Sequence, residues 1–253
     1  MLRTRVIPCL LLRNSGLVKT VKFKNPTYVG DPINAVRIFN DKEVDELVFL
    51  DIGATPAGVA PNFELLEDIA SEAFMPFGYG GGITDTDQIK RLYGLGIEKI
   101  ILNTAAIEQP ELVGAAAAIA GNSGVVVSMD VRRKWTGKTS VYARSAQKDT
   151  GQNPVEHARE MESRGAGEIL INSIDRDGCM AGYDTDLIEE VAKAVSVPVV
   201  ACGGAGTLEH LREAVEHGVS AVAAGSMFVF QGRHKAVLIT YPEYHELEEL
   251  FGS

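Results

Sequence analysis

The sequence predicts a single α/β domain that folds as a (β/α)8 (TIM) barrel. Eight short apolar runs alternate along the chain with helical patterns, which is typical of parallel strands covered by helices. The 253 residues are about the length that eight such units require. The second half of the chain also repeats the first half at a spacing of 122 residues, which fits a ring of two equivalent halves.

The predicted elements follow one another without a Pro/Gly/Ser-rich linker. Residues 1–253 are therefore expected to form one barrel domain with half-repeats at about 1–122 and 123–253. The strands are predicted to begin near Arg5, Glu46, Met75, Lys99, Gly124, Glu168, Val197 and Ser220. The helices are predicted near 33–43, 62–73, 85–94, 109–120, 154–165, 184–195, 207–217 and 242–251.

Two connections, 12–32 and 131–153, are longer than a barrel needs, and both carry several basic residues. Each follows a strand at the face where barrel enzymes hold their sites. This placement favours a lid over an anionic substrate. The alternative is an ordinary run of solvated surface charge.

Two glycine-rich strand ends are the clearest local signal. Pro198-Val-Val-Ala-Cys-Gly-Gly-Ala-Gly206 repeats Pro76-Phe-Gly-Tyr-Gly-Gly-Gly-Ile83 at the same spacing of 122 residues. Glycine lets backbone N–H groups approach an anion, and a helix start adds partial positive charge. The alternative at each position is a tight turn that binds nothing. We expect two phosphate cradles on opposite sides of the barrel mouth: a first cradle of Gly81, Gly82, Asn103 and Thr104, and a second of Asp177, Gly178, Gly203, Gly204, Gly225 and Ser226.

Asp130 is the best candidate for acid–base chemistry. It follows the apolar run Val125-Val-Val-Ser-Met129, and an apolar surrounding raises the pKa of a carboxyl group. The alternative is an aspartate that caps its loop. Its equivalent in the first half of the chain is Leu11, so a symmetric pair of carboxylates is absent from the sequence. Within the second cradle, the carboxylate of Asp177 is better suited to bind a hydroxyl or amide group, or to order its loop, than to contact a phosphate.

Composition excludes several classes of function. The net charge of −10 and the lack of a long basic run argue against nucleic-acid binding. Three cysteines without paired spacing indicate reduced thiols in the cytoplasm and argue against disulfides or a zinc site. The apolar run Val6 to Leu12 is too short to be a signal or membrane segment. No cofactor or metal is predicted. The five histidines fall on predicted helices or the tail, where surface positions are expected.

Arg5, Glu46, Lys99 and Glu168 each stand at the start of a predicted strand, on the floor of the barrel. Two cations and two anions could form a closed ring of ion pairs across this floor. Spacing alone favours the simpler alternative, in which they are charged residues where strands enter from solvent.

Several motifs have a specific counterpart in one known family. They are Ile7-Pro-Cys-Leu10, Asp45-Glu-Leu-Val-Phe-Leu-Asp51, Gly80-Gly-Gly82, Asn103-Thr-Ala-Ala106, Ser173-Ile-Asp-Arg-Asp-Gly178 and Gly203-Gly-Ala-Gly206. Together they resemble the HisF family, the cyclase subunits of imidazole glycerol phosphate synthase. The likeness covers nearly the whole chain and is weaker after Gln231.

The resemblance implies a subunit of a glutamine-dependent synthase complex of the lyase class. A HisH-like glutaminase would dock at the N-terminal face of the barrel as a heterodimer, and its ammonia would travel along the axis to a bisphosphorylated small molecule. By the same resemblance, Lys19 and Asp51 belong to the substrate site and Asp130 to the catalytic pair. The resemblance also assigns an ammonia gate to Arg5, Glu46, Lys99 and Glu168.

One departure from the family pattern bears directly on function. The family motif Ile-Pro-Cys-Leu-Asp ends here in Leu11, so one of two catalytic aspartates is missing while the gate residues remain. This combination resembles the HisF-like proteins of bacterial surface-polysaccharide (O-antigen) clusters, the WbuZ type. Those proteins imply ammonia delivery for amidination of a nucleotide-linked N-acetyl sugar, with a sugar amidotransferase as a further partner. The alternatives are a genuine cyclase of histidine biosynthesis, a non-catalytic subunit that activates the glutaminase, and a sugar-phosphate isomerase of the related HisA type.

Overall fold

The computed structural model describes residues 4–252, and its strands close into the predicted barrel. The barrel strands are β1 Arg5–Arg13, β2 Leu47–Asp51, β3 Phe77–Gly80, β4 Lys99–Leu102, β5 Val125–Arg133, β6 Glu168–Ser173, β7 Val199–Cys202 and β8 Ala221–Ala224. Each strand pairs in parallel with the next along the chain, and β8 returns to pair with β1. The predicted (β/α)8 fold is confirmed.

The predicted helices are also present, and their ends differ from the predictions by at most three residues. The outer helices are α1 Pro32–Asp41, α2 Phe63–Glu72, α3 Thr86–Gly94, α4 Glu111–Ala120, α5 Pro154–Ser163, α6 Thr185–Ala192, α7 Leu208–Glu216 and α8 Tyr244–Phe251. The strongest start signals are polar caps, as for α7, where the Thr207 hydroxyl accepts from the His210 N–H at 3.4 Å. Short helices follow three strands at the mouth: Ala54–Ala57, Thr104–Glu108 and Ser226–Val229.

The apolar core has two parts. The larger part lies between the strands and the outer helices and includes Phe39, Phe49 and Phe228. The smaller part lies inside the barrel and combines branched side chains such as Ile7 and Leu170 with small ones such as Cys9, Ala221 and Ala223. This inner cluster lies between the floor of the barrel and its mouth.

The structure corrects the description of the two long connections. The segment after β1 is an antiparallel β-hairpin with strands Gly16–Val21 and Lys24–Gly30, here called the β1 hairpin. The segment after β5 is here called the β5 hairpin. Its strand Thr139–Ala143 pairs antiparallel with β5 on one side and with the short strand Lys148–Asp149 on the other. Both ladders are local, with pairs such as Val21 and Lys24 or Arg133 and Thr139, and the prediction for these segments considered only their charges.

One histidine also departs from expectation. His157 on α5 is 2% exposed, and neither ring nitrogen has a hydrogen-bond partner within residues 4–252. Burial lowers its pKa, with Glu160 opposing the shift. The expectation of a surface position was therefore wrong for His157. Among the described residues, no helix is long and apolar enough to cross a membrane.

Candidate functional site

A cavity of about 950 Å³ opens at the carboxyl ends of the strands. Its deepest residues come from β1, β5 and β6 and include Leu11, Ser128, Asp130 and Asn172. We call it the mouth cavity. A barrel brings these positions together because parallel strands all end at one face.

Asp130 lies in the mouth cavity and is 8% exposed. Burial raises its pKa to about 7, the charge of Asp177 adds to the rise, and the carboxamides of Asn103 and Asn172 oppose it. Asn172 is the register partner of Asp130 on the neighbouring strand. The two atoms of the Asn103 carboxamide meet no hydrogen-bond geometry with any described residue, so its influence on Asp130 is one of proximity. A carboxyl group with this pKa can accept and return a proton near neutral pH.

Leu11 occupies the position that mirrors Asp130. It is 9% exposed, lies in the mouth cavity and pairs with Val18 of the β1 hairpin. Its side chain is apolar and has no ionisable group, so it cannot donate or accept a proton. Asp51, the other carboxylate assigned to the substrate site, accepts hydrogen bonds from the backbone N–H groups of Gly53 at 2.8 Å and Ala54 at 3.0 Å. One oxygen of Asp51 is therefore used to order the turn after β2.

The first cradle lies in the mouth cavity, and both of its glycines have positive φ values, +125° at Gly81 and +69° at Gly82. A side chain at Gly81 would run into the backbone of Asp51, so glycine is required by packing as well as by conformation. The Gly82 N–H already donates to the Thr55 hydroxyl at 3.2 Å. The first cradle thus presents backbone without side chains at Gly81 and Gly82, but the Gly82 N–H is already used in a hydrogen bond within the protein.

The second cradle surrounds a much smaller cavity of about 30 Å³. Lys19 of the β1 hairpin lines it, buried at 6% exposure, and its Nζ donates to the Cys9 carbonyl at 2.5 Å. Burial lowers the pKa of Lys19. No carboxylate of the described chain lies within ion-pair distance of Nζ, and a side chain at Gly225 would collide with it. A buried cation among glycines is a suitable partner for an anion. The remaining residues predicted for this cradle, Gly178, Gly203, Gly204 and Ser226, also line the small cavity.

Asp177, in the connection after β6, contacts the β1 hairpin. Its carboxylate accepts from the Thr20 hydroxyl at 2.7 Å and from the Phe23 N–H at 3.1 Å. Burial raises its pKa, while the bonds from Thr20 and Phe23 and the charge of Lys19 lower it. Asp177 therefore holds the β1 hairpin in place, and its binding of a substrate hydroxyl or amide group stays a prediction.

The floor of the barrel carries a ring of ion pairs, which spacing along the sequence could not decide. Arg5 forms ion pairs with both Glu46 and Glu168. Lys99 does the same, at 2.8 Å to Glu46 and 2.7 Å to Glu168. Both glutamates are buried, and the four side chains form a closed ring of charge-assisted hydrogen bonds across the barrel axis.

Sequence reasoning missed two parts of the site. Asn172 was not among the predicted site residues, although strand alternation from Glu168 on the axis points Leu170 and Asn172 inward. The pair of Glu108 and Arg144 on the cavity wall had no sequence signal, because 36 residues separate them.

The family of the chain follows from comparison with known proteins. The model of the family described as "Histidine biosynthesis protein" matches residues 5–235. Three relatives carry the printed name "Putative imidazole glycerol phosphate synthase subunit", with the endings hisF2, HisF and hisF3. The Pseudomonas aeruginosa relative is 51% identical over 98% of this chain and 99% of its own length. The Leptospira borgpetersenii relative is 46% identical over 99% and 100%, and the Vibrio vulnificus relative is 45% identical over 97% and 95%. The chain therefore belongs to the histidine biosynthesis protein family, as a HisF-type barrel subunit.

Proposed function

We propose that this barrel receives ammonia from a HisH-like glutaminase at its floor and passes it along the axis to the mouth. The observation that carries this proposal is the closed ring of Arg5, Glu46, Lys99 and Glu168. Above it lie apolar side chains, which offer no charged or hydrogen-bonding group to hold a small neutral molecule such as ammonia. At the far end of this interior stands Asp130.

The proposed acceptor is a nucleotide-linked N-acetyl sugar, amidinated in bacterial surface-polysaccharide synthesis together with a sugar amidotransferase. Leu11 supports this proposal, because an apolar side chain stands where a second acid–base group is needed for cyclase chemistry. Lys19 and the glycines of the second cradle support binding of a phosphorylated small molecule at the mouth. Asp130 then keeps a single proton-transfer role.

The test is cyclase turnover with the aminoimidazole-carboxamide ribulosyl phosphate substrate (PRFAR) and excess ammonium salt at high pH, so that no glutaminase is needed. The unmodified chain is expected to be inactive, and Leu11→Asp is expected to gain turnover. Leu11→Asn is the matched control, since it adds polarity without a carboxylate. Turnover of the unmodified chain at the level of an ordinary cyclase would overturn the sugar proposal.

A genuine cyclase is the second candidate, in which PRFAR and ammonia give imidazole glycerol phosphate and AICAR. Asp130, with a pKa of about 7, favours it, because one well-placed group can serve as both acid and base. Growth of a cyclase-deficient histidine auxotroph carrying this chain would support this candidate.

A further inference from the structure

The turn that joins the last two strands of the β5 hairpin forms part of the wall of the mouth cavity. Arg144 and Ser145 line the cavity beside Thr104 and Glu108 of the short helix after β4. The Arg144 N–H donates to the Thr104 hydroxyl at 2.9 Å, and the Ser145 hydroxyl donates to the Ile52 carbonyl at 3.2 Å. The turn is thus anchored to the connections after β2 and β4, next to the first cradle.

Two cations of this hairpin share one carboxylate. Arg144 donates to Glu108 through Nε at 3.0 Å and Nη2 at 2.9 Å, and Lys148 Nζ lies 3.2 Å from the same carboxylate. Over residues 4–252, no second carboxylate lies within 4.0 Å of either cation. The two cations therefore carry one positive charge more than Glu108 offsets, in a chain whose net charge is −10. Arg144 lines the mouth cavity itself, whereas Lys148 is joined to the cavity wall through Glu108.

We propose that Arg144 and Lys148 form an anion clamp for a phosphate group held at the first cradle, and that Glu108 is the internal anion with which this phosphate competes. A guanidinium presents a planar fork that fits phosphate as well as carboxylate. A phosphate dianion brings two negative charges where Glu108 brings one, so exchange is favoured. The inference rests on the proposed function in one respect only, that a phosphorylated ligand enters the mouth cavity.

A purely structural role for the same contacts makes a different prediction. If the pair of Arg144 and Glu108 only ties the hairpin to the barrel, loss of either partner loosens the turn, and both losses weaken ligand binding. If Glu108 competes with the ligand, its loss frees both cations and strengthens binding. The two replacements therefore have opposite signs only when the clamp exists.

The experiment is calorimetric titration of the full chain with inorganic phosphate at constant ionic strength. Arg144→Gln is expected to weaken binding by about tenfold or more, since a hydrogen bond to a charged group is lost. Glu108→Gln is expected to tighten binding by about three- to tenfold, since a competing charge is removed. Arg133→Gln is the matched control: it removes the same charge from the end of β5, where the β5 hairpin begins, but Arg133 pairs with Asp184 and does not line the cavity.

Each outcome decides the matter. Weaker binding in both Arg144→Gln and Glu108→Gln, or no change in either, overturns the clamp and leaves phosphate binding by the barrel intact. An equal loss in Arg133→Gln also overturns it, because net charge alone then explains the effect. Absence of phosphate binding in the unmodified chain removes both the clamp and the phosphate site, whereas ammonia transfer is measured separately. Circular dichroism of each variant checks that the barrel is folded.

Discussion

Replacement of Asp130 by asparagine is expected to stabilise the protein at neutral pH. Burial, helped by the charge of Asp177, raises the pKa of the Asp130 carboxyl to about 7. In the unfolded chain an aspartate loses its proton near pH 4. Between these two values the folded state keeps a proton that the unfolded state has released, so stability falls as the pH rises from about 4 to about 7. Asparagine has a similar shape and does not ionise, so the variant escapes this loss.

The magnitude follows from the size of the pKa shift. A rise from 3.8 to about 7 corresponds to about 4 kcal/mol of folding free energy at ~1.36 kcal/mol per unit. This is the upper limit of the gain, because the amide of the variant must also find partners beside Asn103 and Asn172. We expect Asp130→Asn to gain about 2–4 kcal/mol at about pH 8 and close to nothing near pH 4. In the Leu11→Asp variant, where cyclase turnover is expected, the same replacement should lower that turnover by about 10²–10⁴.

The assay is urea unfolding of both proteins at about pH 4.5 and about pH 8, followed by circular dichroism. Asp149→Asn is a control of opposite sign. Lys134, together with Ser140, lowers the pKa of Asp149 to about 2. The ionised Asp149 carboxylate therefore stabilises the fold above about pH 4, and this effect is lost as the pH falls towards 2. Asp149→Asn should accordingly destabilise the protein at both assay pH values. A change in unfolding free energy that is the same at both pH values for Asp130→Asn would refute the reasoning.

Two further replacements test the floor and the outer core. Lys99→Met should cost about 2–4 kcal/mol in urea unfolding, because Glu46 and Glu168 then share Arg5 alone. The double variant with Glu168→Gln should recover part of this loss, and a purely additive result would contradict coupling in the ring. His157→Phe should reduce the loss of stability below about pH 6.5, because burial holds the native histidine neutral while the unfolded one takes up a proton. Melting temperatures between about pH 5 and pH 7 that fall equally in both proteins would contradict this.

The strand and helix order could be predicted because it depends on local pattern. Apolar runs separated by helical periodicity specify parallel strands with crossovers, and polar caps such as Thr207 fix where helices begin. The first cradle followed for the same reason, because Gly81 and Gly82 adopt backbone angles that glycine tolerates best. The two hairpins were not predicted, although their ladders join residues close in sequence, because the prediction for both connections considered their charges and not their strand pattern.

Side-chain partners across the barrel could not be predicted from the sequence. Spacing alone favoured isolated charges at Arg5 and Lys99, and closure of the sheet brought them onto the same two glutamates. Asn172 was also missed, because only the pairing of β5 with β6 shows that it lies beside Asp130. His157 was misplaced because an amphipathic helix can bury one polar residue without a change in its overall pattern.

The sequence by itself determined the barrel, the two glycine-rich strand ends, the family likeness and the absence of an acidic group at Leu11. These features depend on residue types and on order along the chain. Only the tertiary structure decided that four charged side chains form a ring at the floor, that Lys19 is buried beside the glycines of the second cradle and that Asp130 has a pKa near neutrality. Ion pairing and desolvation depend on distances between strands far apart in sequence, and these distances exist only when the sheet closes.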